Sequence, residues 1–245
     1  MTTGKRARFL LAFTVLLLLA AGSIRLPAQA PAAAKAPTAW DGVYTDAQAN
    51  RATGPFGASC AGCHALTPEG NRPLSGEKFW QSYTQKSVGD LLSYVSKYMP
   101  NGNGGSLSPD TYADLVALML KSNGFPAGST ELTAERVSAV QILPKEGAGE
   151  LPNNTLVRIV GCLARSGNEW TLTNATAPVR TEKTQPDPGD AAVALGTRSF
   201  ALKFVLTKLD PFVGQRMSAA GMLIGVGGVN GLNVAVVSRV AETCP

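Results

Sequence analysis

Apolar residues in the first half of the chain recur with the period of amphipathic helices. Over residues 87–97 they stand at i, i+3, i+4 and i+7, a spacing that places them on one face of a helix. A second such helix is expected over residues 108–122. A shorter helix is expected from Thr45 to about residue 53, and Gly54 and Pro55 are expected to end it. Another short helix is expected within residues 76–83.

The period changes in the second half of the chain, where short apolar or alternating runs are separated by turns. Residues 129–154 are weakly patterned and include a stretch rich in Gly and Pro, which favours a linker. Five short strands without a long helix then favour a small barrel or sandwich. The expected strands cover residues 156–164, 169–174, 199–206, 216–225 and 232–240.

The N-terminus has the organisation of an export signal. A basic head precedes an apolar run over residues 9–21, which is shorter than the ~20 residues of a membrane-spanning helix. A small-x-small cleavage pattern ends at Ala30. We therefore expect residues 1–30 to be a cleaved signal peptide and residues 31–39 a flexible leader. The mature protein is expected to be periplasmic and to keep no stable membrane span.

Most of the positive charge belongs to that signal. The full sequence of 245 residues carries a net charge of +5, with 22 basic and 17 acidic residues. Removal of residues 1–30 takes away Lys5, Arg6, Arg8 and Arg25 and no acidic residue, which leaves +1. Because nucleic-acid binding usually needs a basic patch, and the sequence has no dense Lys/Arg cluster, a nucleic-acid partner is not expected.

The run Cys60-Ala61-Gly62-Cys63-His64 carries the strongest chemical signal. Two thiols at this spacing can add to the two vinyl groups of a porphyrin, and the following histidine can then bind the iron. The sequence therefore predicts one covalently attached haem c per chain. His64 is the only histidine, so the second axial ligand of that iron has to be another residue type.

Two other interpretations of this cysteine pair stay open, a redox dithiol and half of a zinc site. A zinc site would need further ligands, and the remaining cysteines, Cys162 and Cys244, lie far downstream. In an oxidising compartment these two residues are candidates for a disulfide with each other.

The stretch from Tyr44 to Gly128 resembles a bacterial class I cytochrome c. The resemblance implies an all-α haem domain over residues 40–128 and an iron that cycles between its ferric and ferrous states. It rests on the capped first helix, the haem motif, and the residues Gly76, Phe79, Trp80, Met99 and Pro100.

In that family a methionine sulfur usually takes the second axial position. Met99 precedes Pro100 in a loop after a predicted helix, and is the expected ligand. Met119 falls on the apolar stripe of the last helix, so it is expected to belong to the core. An open sixth position is the remaining possibility.

Residues 155–245 resemble small β-barrel modules of the oligonucleotide/oligosaccharide-binding type. The expected fold class is therefore an all-α class I cytochrome c domain followed by an all-β small barrel. With no nucleophile–base pair or metal cluster in its sequence, the β domain is expected to serve in docking or scaffolding.

The expected function is that of an exported electron carrier and not of an enzyme. Its partners would be a periplasmic dehydrogenase and another cytochrome or an oxidase, so the protein could be a subunit of an oxidoreductase complex. Two alternatives stay open. The protein could be a haem-based sensor of a small gas, or a docking module in which the β domain is the functional part.

Overall fold

The computed structural model describes residues 36–146, 149–226 and 229–244. The predicted signal peptide at residues 1–30 and most of the predicted leader lie outside the described residues. Among the helices that the structure describes, none is long and apolar enough to cross a membrane.

The helices of the first region begin where a short polar side chain caps the first turn. The side chains of Thr45, Ser87 and Ser108 each accept a hydrogen bond from the backbone N–H three residues later. The helices are α1 (Asp46–Arg51), α2 (Thr53–Ser59), α3 (Glu77–Tyr83), α4 (Val88–Tyr98), α5 (Pro109–Ser122) and α6 (Ala134–Val137).

Helix α2 was not expected, because Gly54 and Pro55 were predicted to end the first helix. Instead the chain continues through both residues to Ser59. Pro55 lies in the first turn of α2, where its missing N–H removes no intrahelical hydrogen bond. The helix thereby leads directly to Cys60.

A hydrophobic core lies between these helices, with α1 and α4 packed on α5. The amide of Gln48 binds both backbone groups of Leu132, donating to its oxygen at 2.9 Å and accepting from its nitrogen at 2.8 Å. This contact draws part of the predicted linker, residues 129–154, onto the helices. That segment contributes the buried side chains Leu132, Val137, Val140 and Ile142.

The second region is a six-stranded sheet of mainly antiparallel strands. The strands are β3 (Leu156–Ser166), β4 (Glu169–Ala175), β5 (Val179–Arg180), β6 (Arg198–Lys203), β7 (Arg216–Val226) and β8 (Val229–Ala241). Their order in the sheet is β4-β6-β8-β7-β3-β5. Strand β3 also pairs with β4, and β6 runs parallel to β8. Apolar side chains from several strands form a second core.

The long polar insertion between β4 and β6 is attached to the sheet by a buried polar group. Asp190 lies in a 3₁₀-helix, Pro188–Ala191, and accepts a hydrogen bond from Ser218 Oγ at 2.6 Å. Its other carboxylate oxygen lies 3.4 Å from Arg158 Nε. Because a buried carboxylate without partners would be costly, these contacts explain why the insertion lies on the sheet.

The expectation of an all-α class I cytochrome c domain followed by a small β-barrel is wrong. Helices account for only about 29% of the described residues. The helical region contains its own antiparallel pair, β1 (Lys86–Ser87) and β2 (Gln141–Ile142), beside the six-stranded sheet. The pair joins segments far apart in the sequence, and hydropathy patterns report local periodicity and not such pairing.

Candidate functional site

The cysteine motif forms a tight turn at the end of α2. The N–H groups of Cys63 and His64 both donate to Cys60 O, at 3.0 and 2.9 Å. The Cys60 N–H in turn donates to Phe56 O at 2.8 Å, which ties the turn to the helix. Cys60 and Cys63 are both free thiols, and burial raises the pKa of the Cys60 thiol. Both sulfurs are therefore available for covalent attachment.

One nitrogen of His64 is already committed to the protein. Its Nδ1 lies 2.9 Å from Arg72 O, and because a carbonyl oxygen can only accept, Nδ1 carries the proton. The loop that presents Arg72 is held by the hydrogen bonds Ala65 N to Asn71 O and Leu74 N to Ala65 O, both 2.9 Å. In the neutral imidazole this tautomer leaves Nε2 with its lone pair, which is the form a metal-binding histidine needs.

A cavity of about 450 Å³ lies beside this turn. Its size falls within the range of small-molecule and cofactor sites. All four residues predicted to attach the haem and to bind its iron line this cavity: Cys60, Cys63, His64 and Met99. Met119 belongs to the hydrophobic core, as expected, and lines the cavity as well.

Met99 is held at the cavity by its backbone. It follows the last residue of α4, and its N–H donates to Val95 O at 3.0 Å. The hydroxyl of Tyr112 on α5 donates to Met99 O at 2.7 Å. The two contacts fix the backbone of Met99 from two helices, and its flexible thioether side chain remains free to adjust.

Aromatic side chains form another wall of the cavity. Phe79 is buried, and the centre of its ring lies 5.3 Å from the centre of the Tyr83 ring and 6.2 Å from that of the Phe125 ring. Burial, with a smaller contribution from Tyr94, raises the pKa of Tyr83 to about 12. Tyr83 therefore stays neutral at physiological pH, and this wall offers a flat ligand apolar contact without negative charge.

The charged residues that line the cavity, Arg72 and Lys78, are both basic. A cavity with an apolar wall and basic groups suits a flat, largely apolar ligand with carboxylate substituents, because the carboxylates can pair with the cations. The residues present thus fit a haem. They offer two thiols for the vinyl groups, an imidazole nitrogen and a thioether for the iron, and cations for the propionates.

The same residues are less suited to a zinc ion. Cys162 and Cys244 are joined in a disulfide with their Cα atoms 5.5 Å apart, so they are not available as ligands. In the part of the chain that the structure describes, no three His, Cys, Asp or Glu side chains form a group that could hold a metal ion. A haem iron needs no such group, because the porphyrin supplies four of its ligands.

Comparisons with protein-family models, with curated proteins and with solved structures found no match for this chain. The function therefore has to be argued from the cavity and its residues alone.

The sequence did not single out Arg72 and Lys78 as residues of the cavity, and it assigned Met119 to the core alone. Arg72 and Lys78 carry no motif. Met119 has the same spacing along α5 as the core residues around it, so periodicity cannot separate a side chain that faces a cavity from one that fills a core.

Proposed function

We propose that the protein is an exported mono-haem c-type electron carrier. It would accept single electrons from a periplasmic dehydrogenase and pass them to another cytochrome or an oxidase. The observation that carries this proposal is that both free cysteines, the only histidine and Met99 line one cavity.

Each residue of the site has a separate task in this proposal. Cys60 and Cys63 would hold the porphyrin through thioether bonds, and His64 Nε2 would bind the iron. The Arg72 carbonyl orients the imidazole through Nδ1. When bound, the haem supplies an iron that changes by one electron between its ferric and ferrous states. No substrate is transformed, so the protein is not proposed to be an enzyme.

Met99 would be the other side chain that binds the iron, and Met119 provides a matched control. Both are methionines that line the cavity. We expect Met99→Leu to abolish the far-red charge-transfer band of a ferric thioether–haem and to lower the reduction potential, because thioether ligation stabilises ferrous iron. Met119→Leu should keep the band. The opposite result would assign the iron bond to Met119.

Binding of carbon monoxide separates an electron carrier from a gas sensor. A carrier keeps both axial ligands, so the ferrous protein at neutral pH should bind carbon monoxide slowly or incompletely. The variant Met99→Leu opens the sixth position and should bind it quickly. Fast and complete binding by the unmodified protein would contradict the carrier proposal and favour a sensor.

A further inference from the structure

Strand β5 contacts the helical region just after α3, one of the helices that line the cavity. The Arg180 N–H donates to Gln85 Oε1 at 2.8 Å, and Gln85 Nε2 donates to Pro178 O at 3.2 Å. Gln85 follows the end of α3 by two residues and has a positive φ of 62°, which is uncommon for a residue other than glycine. Contacts from the sheet thus help to hold the turn after α3.

The side chain of Arg180 reaches α3 itself. Its Nε donates to Thr84 O at 3.1 Å. Both the N–H and the hydroxyl of Thr84 donate to Trp80 O, at 2.9 and 2.6 Å. The guanidinium is therefore attached to the end of the helix that supplies Lys78, Phe79 and Tyr83 to the cavity.

The guanidinium of Arg180 has few partners that would balance its positive charge. No carboxylate is within ion-pair distance of Arg180 among the described residues, and its partly buried Nη2 has no hydrogen-bond partner there. A second cation, Lys86, has its Nζ 5.6 Å from the centre of the Tyr83 ring. The acidic groups that act on Lys86 are Asp90 and Glu182, and Asp90 already accepts the Ser87 N–H.

On the basis of the haem proposed above, we propose that Arg180 is a positioning residue. It would connect the sheet to the end of α3 and raise the reduction potential of the haem. The guanidinium fixes the end of α3 through Thr84. Its charge disfavours the ferric state, which carries one more positive charge than the ferrous state. A partly buried charge acts more strongly than an exposed one, because the surrounding protein screens it less than water does.

Redox titration of the full-length holoprotein tests this role with three variants. Arg180→Met removes the charge and the bond to Thr84, Arg180→Lys keeps the charge, and Arg198→Met removes an exposed arginine of the same sheet. We expect Arg180→Met to shift the ferrous-to-ferric ratio at a fixed potential about tenfold toward ferric, which is about 59 mV for a one-electron couple. Arg180→Lys should shift the reduction potential much less than Arg180→Met does, and Arg198→Met should leave it unchanged.

Hydrogen exchange provides a second readout that does not depend on electron transfer. Exchange over residues 77–86 should accelerate in Arg180→Met and stay unchanged in Arg198→Met. If the unmodified protein carries no covalent haem, the proposed function itself fails. If it carries haem and Arg180→Met titrates like the unmodified protein, or Arg180→Lys falls as far as Arg180→Met, only the electrostatic role of Arg180 is overturned.

Discussion

The helical region and the sheet region each contain a pair of cysteines, and the two pairs are in different chemical states. Cys60 and Cys63 are free thiols at the edge of a cavity, whereas Cys162 and Cys244 are bonded to each other. The sheet region packs apolar side chains from its own strands into a core. The helical region leaves about 450 Å³ between its helices.

This difference has a consequence for stability. Side chains that line a cavity lack packing partners on one side, and their region gains less from dispersion than a filled core does. The helical region should therefore depend on a bound group for part of its stability, and the sheet region on its disulfide. The predictions below separate these two dependences.

The largest expected effect is that of the double variant Cys60→Ala/Cys63→Ala. It should lose all covalent haem and destabilise the helical region by about 3 kcal/mol or more, because a group that binds only the folded state stabilises it. Haem staining on a denaturing gel measures the loss of covalent haem. Thermal unfolding followed by far-UV circular dichroism measures the loss of stability. Retention of the stain would contradict the attachment proposed for these thiols.

The matched variant Cys162→Ser/Cys244→Ser removes the other cysteine pair. Its disulfide spans 82 residues, and its loss should cost the sheet region about 2–4 kcal/mol. The haem content and the absorption spectrum should stay unchanged. A loss of haem as large as that in the first variant would show that haem binding by the helical region also depends on the disulfide of the sheet region.

A smaller effect is expected for Ser218→Ala. This variant removes one of the two donors to Asp190 Oδ2 and leaves the Asp187 N–H as the other, which should cost about 1–3 kcal/mol. Denaturant unfolding of the sheet region measures the cost. Ser166→Ala, at an exposed end of β3, is the control and should change stability little; equal costs for both would refute the role of the buried pair.

The smallest effect is expected for Tyr112→Phe. The loss of the hydrogen bond to Met99 O should cost about 1 kcal/mol and should weaken the far-red band of the ferric protein, because the Met99 backbone loses one of its two anchors. Tyr98→Phe is the control, since Tyr98 is half exposed. An unchanged band in Tyr112→Phe would mean that the remaining anchor is sufficient.

The elements that could be predicted are those whose pattern is local. Helices α4 and α5 lie where the apolar spacing indicated, and the long strands β3 and β7 overlap the expected ranges. The prediction did not include α2, because Gly54 and Pro55 indicated the end of a helix and not the first turn of a new one. It also did not include the short elements α6, β1, β2 and β5. These elements have at most four residues, too few to show a period.

The residues of the candidate site are likewise of two kinds, those that a local pattern indicates and those that only tertiary contacts bring to the cavity. Cys60, Cys63 and His64 are adjacent in the sequence, and their spacing alone indicates the chemistry. That Met99 lines the same cavity depends on the loop after α4 and on Tyr112. The participation of Met119, Arg72 and Lys78 could not be read from any pattern.

The amino-acid sequence by itself therefore determined the attachment motif, the identity of its only histidine, and the periods of the longer helices and strands. Only the tertiary structure decided how the parts meet: the packing of residues 129–154 onto the helices, the disulfide, the pairing of β1 with β2, and the contact of Arg180 with the end of α3. The physical reason is that periodicity and spacing act over a few residues, whereas these contacts join segments distant in the chain.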